Sequence, residues 1–380
     1  MTNPVTTTVA SAIRDLAARD DALPDLALIL DSDRRAESLG AASTIERLRY
    51  KPGASVIAAV RGESGDLSWI VTYSDAAKLH KSHRRAEDAG ALAAYLSPRV
   101  LTGPVHGDRL LARAVQRTFA TDAAVFGGAH IIRYNPLRRL VLRDGDRVLK
   151  LTATRQSHAA AAALSGRGLP VLAPERIAGD VWSSPWWGDG DLATHRQGTR
   201  ARLSAAAGAA LHGIHATPRR ALHLPALDAK RAGRQAASAI ARLLPALSSR
   251  AHRVAAATGA LPGPLVVSHG DWSEDQVLTD GDAVRIIDLD RACLAPREYD
   301  IGRFLASGGS SAMLTGYRAA GGDFDTATLA RARALALLQR AVEPFRLGST
   351  TWPQDVERIL ARAETALDDD REPEHEGATR

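Results

Sequence analysis

The sequence predicts an α+β chain: a β-rich lobe followed by a mainly helical lobe, with an additional N-terminal α+β accessory domain resembling a second copy of the β-rich lobe. Three observations carry this. Two short apolar strands, before Ser268 and at Ile286-Ile287, lie among alanine-rich amphipathic helices, and each leads to a carboxylate. A β-type run, Arg147-Val148-Leu149-Lys150-Leu151, follows the turn Asp144-Gly145-Asp146 and encloses a single Lys. Finally, Arg49-Tyr50-Lys51-Pro52 recurs 84 residues further on as Arg133-Tyr134-Asn135-Pro136. Each copy is followed by an apolar strand (56–60 or 140–142), a turn at Gly and Asp, and a second strand (69–73 or 148–152). Val71 of the first copy stands opposite Lys150 of the second.

These elements divide the chain into an accessory α+β domain over residues 1–115, a β lobe over 120–190, a helical lobe over 191–367 and an acidic tail over 368–380. Helices are expected over 202–215, over 229–244 stopped by Pro245, over 329–342 stopped by Pro344, and over 354–367. A shorter one is expected over 155–164. The chain returns to strand from Gly168 to Pro174, and the hinge between lobes is expected near Trp182 to Gly188, where three Trp fall close together. Pro218 to Pro225 reads as a linker. The tail run Asp368-Asp369-Asp370-Arg371-Glu372-Pro373-Glu374 has the composition of a disordered segment.

The richest stretch is Ser268-His269-Gly270-Asp271-Trp272-Ser273-Glu274-Asp275-Gln276-Val277-Leu278, followed after a four-residue turn by strand residues ending in Ile287-Asp288. Strands that deliver carboxylates and an amide at this spacing suit phosphoryl transfer. That chemistry requires one carboxylate to orient the attacking hydroxyl and accept its proton, and hard oxygen ligands for magnesium bridging the phosphates. Asp271 is the candidate base, Gln276 and Asp288 the candidate metal ligands, and Lys150 the candidate cation for the nucleotide phosphates.

The order His-Gly-Asp, an amide five residues on, then Ile-Asp on the next strand resembles the aminoglycoside phosphotransferase family of small-molecule kinases. The resemblance implies a protein-kinase-like two-lobe fold, ATP and Mg2+ as cofactors, and the roles just named for Asp271, Gln276, Asp288 and Lys150. It extends to Ala295-Pro296-Arg297-Glu298-Tyr299-Asp300-Ile301-Gly302, where the family carries a buried structural Asp, here Asp300. It also extends to Leu211-His212-Gly213-Ile214-His215 at a helix end, where His215 reads as packing. The family's glycine-rich loop over the nucleotide would fall at Phe126-Gly127-Gly128-Ala129-His130. Two departures stand out. Gln276 replaces the family's Asn with the same amide oxygen on one more methylene, and residues 155–164 lack the Glu that holds the phosphate-binding Lys, so that either His158 or Gln156 substitutes or Lys150 is held by something else.

The remaining composition bounds the function. With 45% hydrophobic and 24% charged residues the chain is ordinary globular protein. Its single Cys293 excludes an intramolecular disulfide and reads as buried packing. No membrane span and no signal peptide are evident, so a cytoplasmic location is expected. The net charge of +6 comes from Arg scattered over helices, which argues against nucleic-acid binding and against a strongly acidic cleft for polycations. The acceptor is therefore expected to be a hydroxyl of a sugar, antibiotic or other metabolite, or a Ser or Thr of a biosynthetic peptide whose leader the accessory domain holds. A non-catalytic, kinase-like nucleotide- or peptide-binding module is the alternative.

Overall fold

The structure is a computed structural model that describes residues 8–119, 129–154 and 156–368. It divides into two compact units. The first comprises residues 1–156, 175–186 and 343–356, the second residues 157–174, 187–342 and 357–380. Among the described residues no helix is long and apolar enough to cross a membrane. Most of the expected glycine-rich loop, Phe126 to Gly128, and the tail beyond Asp368 lie outside the described residues, as does Arg155.

The first unit contains two five-stranded antiparallel sheets of one topology. Helices α1 (Val9–Ala18), α2 (Leu26–Leu30) and α3 (Ser32–Leu39) precede strands β1 (Ser43–Lys51), β2 (Ser55–Gly62) and β3 (Leu67–Tyr73), helix α4 (Ala76–Asp88), and strands β4 (Ala94–Ser97) and β5 (Val100–Pro104). After α5 (Ala112–Phe119) the pattern repeats: β6 (His130–Asn135), β7 (Arg139–Asp144), β8 (Arg147–Thr152), helix α6 (Ala159–Ser165), β9 (Glu175–Ala178) and β10 (Val181–Pro185). Strand order is β1-β2-β3-β5-β4 in one sheet and β6-β7-β8-β10-β9 in the other. Register follows suit: Ile57 pairs with Val71 as Val141 pairs with Lys150, and Val71 pairs with Leu101 as Lys150 pairs with Trp182. The second sheet is thus a register-matched copy of the first, with Lys150 at the position of Val71.

The recurring Tyr-x-Pro element has a physical purpose that the structure makes plain. The Tyr134 hydroxyl donates to Asp108 Oδ2 at 2.8 Å and the Leu137 amide donates to the same oxygen at 2.7 Å. In the first copy the Tyr50 hydroxyl and the Gly53 amide donate to Asp20 Oδ2 at 2.6 and 3.0 Å. Each Tyr, with the amide three residues later in the turn, ties the start of its sheet to a carboxylate from the preceding segment.

Both sheets share one core. Val71, with Ile57, Ala59, Trp69 and Leu101, packs in the same cluster as Leu140, Leu142, Leu149, Leu151 and Val181. Successive side chains leave a strand on opposite faces, so Leu149 and Leu151 occupy the face away from Lys150. The first sheet therefore buries the face equivalent to that of Lys150, where Val71 is 1% exposed, in a core that also takes the back of the second sheet. Helix α13 (Glu343–Arg346) closes the edge of β1: Arg47 Nη1 donates to Glu343 Oε2 at 3.0 Å, and Phe345 packs edge-on against Tyr50.

The second unit is mainly helical: α6 belongs to it, with α7 (Gln197–His215), α8 (Ala229–Leu243), α9 (Ser248–Thr258), α10 (Glu298–Ala306), α11 (Ala312–Ala319), α12 (Thr326–Arg340) and most of α14 (Trp352–Asp368). Its short strands are β11 (Gly190–Asp191), β12 (Leu265–Ser268), β13 (Val277–Asp280), β14 (Ala283–Ile286) and β15 (Cys293–Pro296), with β12 paired to β15 and β13 between β11 and β14. The core surrounds Trp272, which has no exposed surface, and gathers Leu203, Leu211, Phe304 and Tyr317.

One local expectation is corrected. The return to strand begins at Glu175, because Val171 instead forms a parallel bridge to Ile286, with the Ile286 amide donating to the Pro170 carbonyl at 2.7 Å and the Leu172 amide to the Ile286 carbonyl at 2.9 Å. The stretch read as hinge holds the end of β10 at Pro185, and the boundary between the two units falls just beyond it, between Trp186 and Trp187. Trp186 stacks under the Arg143 guanidinium, 4.0 Å from its ring centroid, and Trp187 under Arg285 at 5.7 Å.

Removing the Tyr134 hydroxyl leaves buried Asp108 short of a donor. Tyr134→Phe should therefore lower unfolding free energy by about 1–3 kcal/mol, and Tyr50→Phe, at a less buried Asp, by less. Urea unfolding midpoints measure both, and two neutral substitutions would show that the element is not an anchor.

Candidate active site

The candidate site lies in the second unit, in the loop between β12 and β13 and the segment after β14. Its shape begins with Gly270, which has φ of 80°. A Cβ there would lie 1.9 Å from the carbonyl oxygen of Arg291. Only Gly fits a left-handed backbone pressed so closely against another segment, which explains why the motif reads His-Gly-Asp.

Asp300, at the start of α10, holds that turn in place. The His269 amide donates to its Oδ2 at 2.7 Å and the Gly270 amide to its Oδ1 at 2.9 Å. His215 Nε2 lies 3.2 Å from the same carboxylate, and Nδ1 of that ring lies 2.8 Å from the Tyr317 hydroxyl. Burial pushes the Tyr317 phenol up to about 12, and Nε2 faces Asp300 as a donor, since a carboxylate oxygen can only accept. His215 is core, as the sequence suggested, and its ring is also a specific prop. Burial by itself would raise the Asp300 carboxyl, but the hydrogen bond and charge of His215, then His269 and the Gly270 amide, outweigh it and hold Asp300 below the usual carboxylate range.

His269 joins the loop to the candidate metal segment. Its Nε2 donates to the Ile287 carbonyl at 2.9 Å, and the Asp271 amide donates to its Nδ1 at 3.3 Å. On the other side the Ile287 amide donates to the Gln276 carbonyl at 3.0 Å. With Ile287 gripped at both ends, Asp288 turns away in a left-handed conformation, φ 61° and ψ 49°. A non-Gly residue there is strained, and such strain collects at functional positions.

The side chains of the three candidates in this unit are each placed by a neighbour or by the backbone. Asp271 Oδ1 accepts from Arg303 Nη2, and Asp271 Oδ2 lies 3.5 Å from Arg291 Nη1. Gln276 is buried, and its amide nitrogen donates to Asp275 Oδ2 at 3.0 Å. The loop is braced further by Glu274, buried and paired with Arg200. Among the described residues no group of three or more His, Cys, Asp or Glu side chains is placed to hold a metal ion. Gln276 and Asp288 fit magnesium nonetheless, because that ion takes one or two protein oxygens and completes its shell with phosphates and water.

Lys150 belongs to the first unit, half-buried in β8 between Val141 and Trp182. Helix α6 carries no acid, and His158 before it, a candidate stand-in for the missing Glu, faces Asp290 at 3.4 Å. Arg303 is the site residue that sequence reasoning missed. Its signal was a charged residue within the apolar Ile301-Gly302-Arg303-Phe304-Leu305, three places after Asp300.

A family model described as a phosphotransferase enzyme family matches residues 131–373. Several solved structures are similar. A choline/ethanolamine kinase family protein from Mesorhizobium loti is 16% identical, with a TM-score of 0.50 over 68% of this chain and 95% of its own. A spectinomycin phosphotransferase, APH(9)-Ia, solved with ADP and spectinomycin, is 13% identical with a TM-score of 0.45, over 63% of this chain and 92% of its own. A macrolide 2′-phosphotransferase type I is 20% identical with a TM-score of 0.42, over 67% and 97%. Among curated proteins none matches this chain.

The depressed Asp300 carboxyl makes a pH prediction. Its folded value lies below its unfolded one, so its contribution to stability is present above about pH 4 and fades as pH falls through the folded value. Asp300→Asn should cost most at neutral pH, and its deficit against the parent protein should shrink at about pH 3. Denaturant midpoints at the two pH values measure this, and a deficit independent of pH would contradict the charged role.

Proposed function

Since the chain belongs to the phosphotransferase enzyme family, we propose that it is an ATP- and magnesium-dependent O-phosphotransferase that moves the γ-phosphoryl group onto a hydroxyl of a small molecule. The observation that carries this reading is His269. Its backbone amide is fastened to Asp300, and its ring spans from the Asp271 amide to the carbonyl preceding Asp288. One residue thereby couples the placement of the candidate base to that of the candidate metal ligand.

In this reading Asp271 orients the acceptor hydroxyl and takes up its proton. Gln276 and Asp288 would hold magnesium, which when bound neutralises charge on the nucleotide phosphates, and Lys150 would pair with the α- and β-phosphates. The net charge of +6 favours an acceptor that is not a polycation.

Asp271→Asn should lower turnover by about 10²- to 10⁴-fold while leaving ATP affinity nearly intact, because the lost group acts on the acceptor. Asp288→Ala should remove the magnesium dependence of nucleotide binding as well as turnover. Thermal shift with ATP at varied magnesium, followed by phosphate transfer to a hydroxyl library, separates the two. An active Asp271→Asn protein would end the assignment of the base, and no transfer by the parent protein to any acceptor, water included, would favour a binding module.

At Gln276, where the chain departs from its family, Gln276→Ala should cost turnover far more than stability, and Gln276→Asn should retain or raise it. Indistinguishable turnover of all three proteins across magnesium concentrations would show that this amide does not touch the metal.

A further inference from the structure

The geometry points to Arg303 as the positioning residue of Asp271, a guanidinium on α10 that fixes which carboxylate oxygen is presented to the acceptor. The inference rests on the phosphotransferase reading for its functional meaning. Asp300 and Arg303 stand three residues apart and so share a helix face. From that face Asp300 holds the backbone amides of His269 and Gly270 while Arg303 Nη2 donates to the Asp271 side chain. One helix thus fixes both the backbone leading to Asp271 and its carboxylate.

Arg303 is itself held. Its side chain is 9% exposed against 33% for that of Asp271. Nη1 donates to Gln339 Oε1 on α12 at 2.8 Å and reaches the Tyr299 hydroxyl at 3.5 Å, and the guanidinium carbon lies 5.6 Å from the Tyr299 ring centroid. A planar guanidinium anchored on one edge and bonded to a carboxylate on another fixes orientation as an ammonium on a flexible stem does not. The charged and titratable groups facing Asp271 are Arg303 from α10, Arg291 at 3.5 Å from Oδ2, and the His269 ring behind its amide. Oδ1 is occupied by the buried Arg303, while Arg291 is 65% exposed and free to yield. Oδ2 is the oxygen left for the incoming hydroxyl. Positioning of this kind acts on the chemical step and hardly on nucleotide binding.

The test uses the full chain with magnesium and ATP, water serving as acceptor, and compares Arg303→Lys, Arg303→Ala and Gln339→Met. The expected result is a loss of kcat on the order of 10²-fold for Arg303→Lys and a smaller loss for Gln339→Met, which loosens Arg303 without removing it. KM for ATP should be little changed, and added guanidinium, but not methylammonium, should restore Arg303→Ala. Turnover by Arg303→Lys equal to the parent, or no guanidinium rescue of a folded Arg303→Ala, would overturn the proposal. A second readout needs no turnover: the melting-temperature loss caused by Asp271→Asn should be smaller in an Arg303→Met background than alone, since the buried charge it strands is gone. Coupling of the two substitutions without any turnover would leave the positioning standing and remove the phosphotransferase reading. Additive melting shifts with Asp271-dependent turnover would do the reverse.

Discussion

Asp300 has no exposed surface, and an ionised carboxylate in that position is tolerable only because donors converge on it: the amides of His269 and Gly270 and the ring of His215. The convergence has consequences in both directions along the chain. It holds Gly270 in a left-handed turn against Arg291, so Asp271 emerges beside Arg303 rather than folding back. It also sets the plane of His269, whose Nε2 then reaches Ile287 and leaves Asp288 to turn out of the strand path. Were Asp300 displaced, the candidate base and the candidate metal ligand would lose their common reference.

The first unit shows a different economy. Two sheets of one topology, each tied at its first hairpin by a Tyr hydroxyl and a turn amide on a single carboxylate oxygen, have come to use opposite faces. The second sheet keeps Lys150 half-buried and packs Leu149 and Leu151 inward, whereas the first turns the Val71 face inward. A Lys at position 71 would place an ammonium in an apolar core at large desolvation cost. The first sheet therefore serves as packing for the second, and its hydrophobic Val71, Leu101 and Trp69 are what that contact requires.

Much of this was legible in the chain because it is local. Apolar runs bounded by turn residues expose strands β2, β3, β7 and β8, the Arg-Tyr-x-Pro recurrence exposes the duplication, and the spacing of Asp271, Gln276 and Asp288 comes from one loop and one two-residue hairpin turn, where chain geometry leaves little freedom. The one misreading has an equally physical cause. Residues 168–174 are apolar enough for a strand, but Pro170 and Pro174 lack N–H donors, and Val171 bridges Ile286 instead.

Sequence by itself determined the fold class, the two-fold recurrence and the residue types at the candidate site, since these depend on periodicity and short spacing. Tertiary structure alone decided which face of the first sheet is buried, that His215 and Tyr317 prop Asp300, and that Arg303 grips Asp271. Those contacts join residues dozens of positions apart, and a buried charge reveals its partner only when the helices that carry both are packed together.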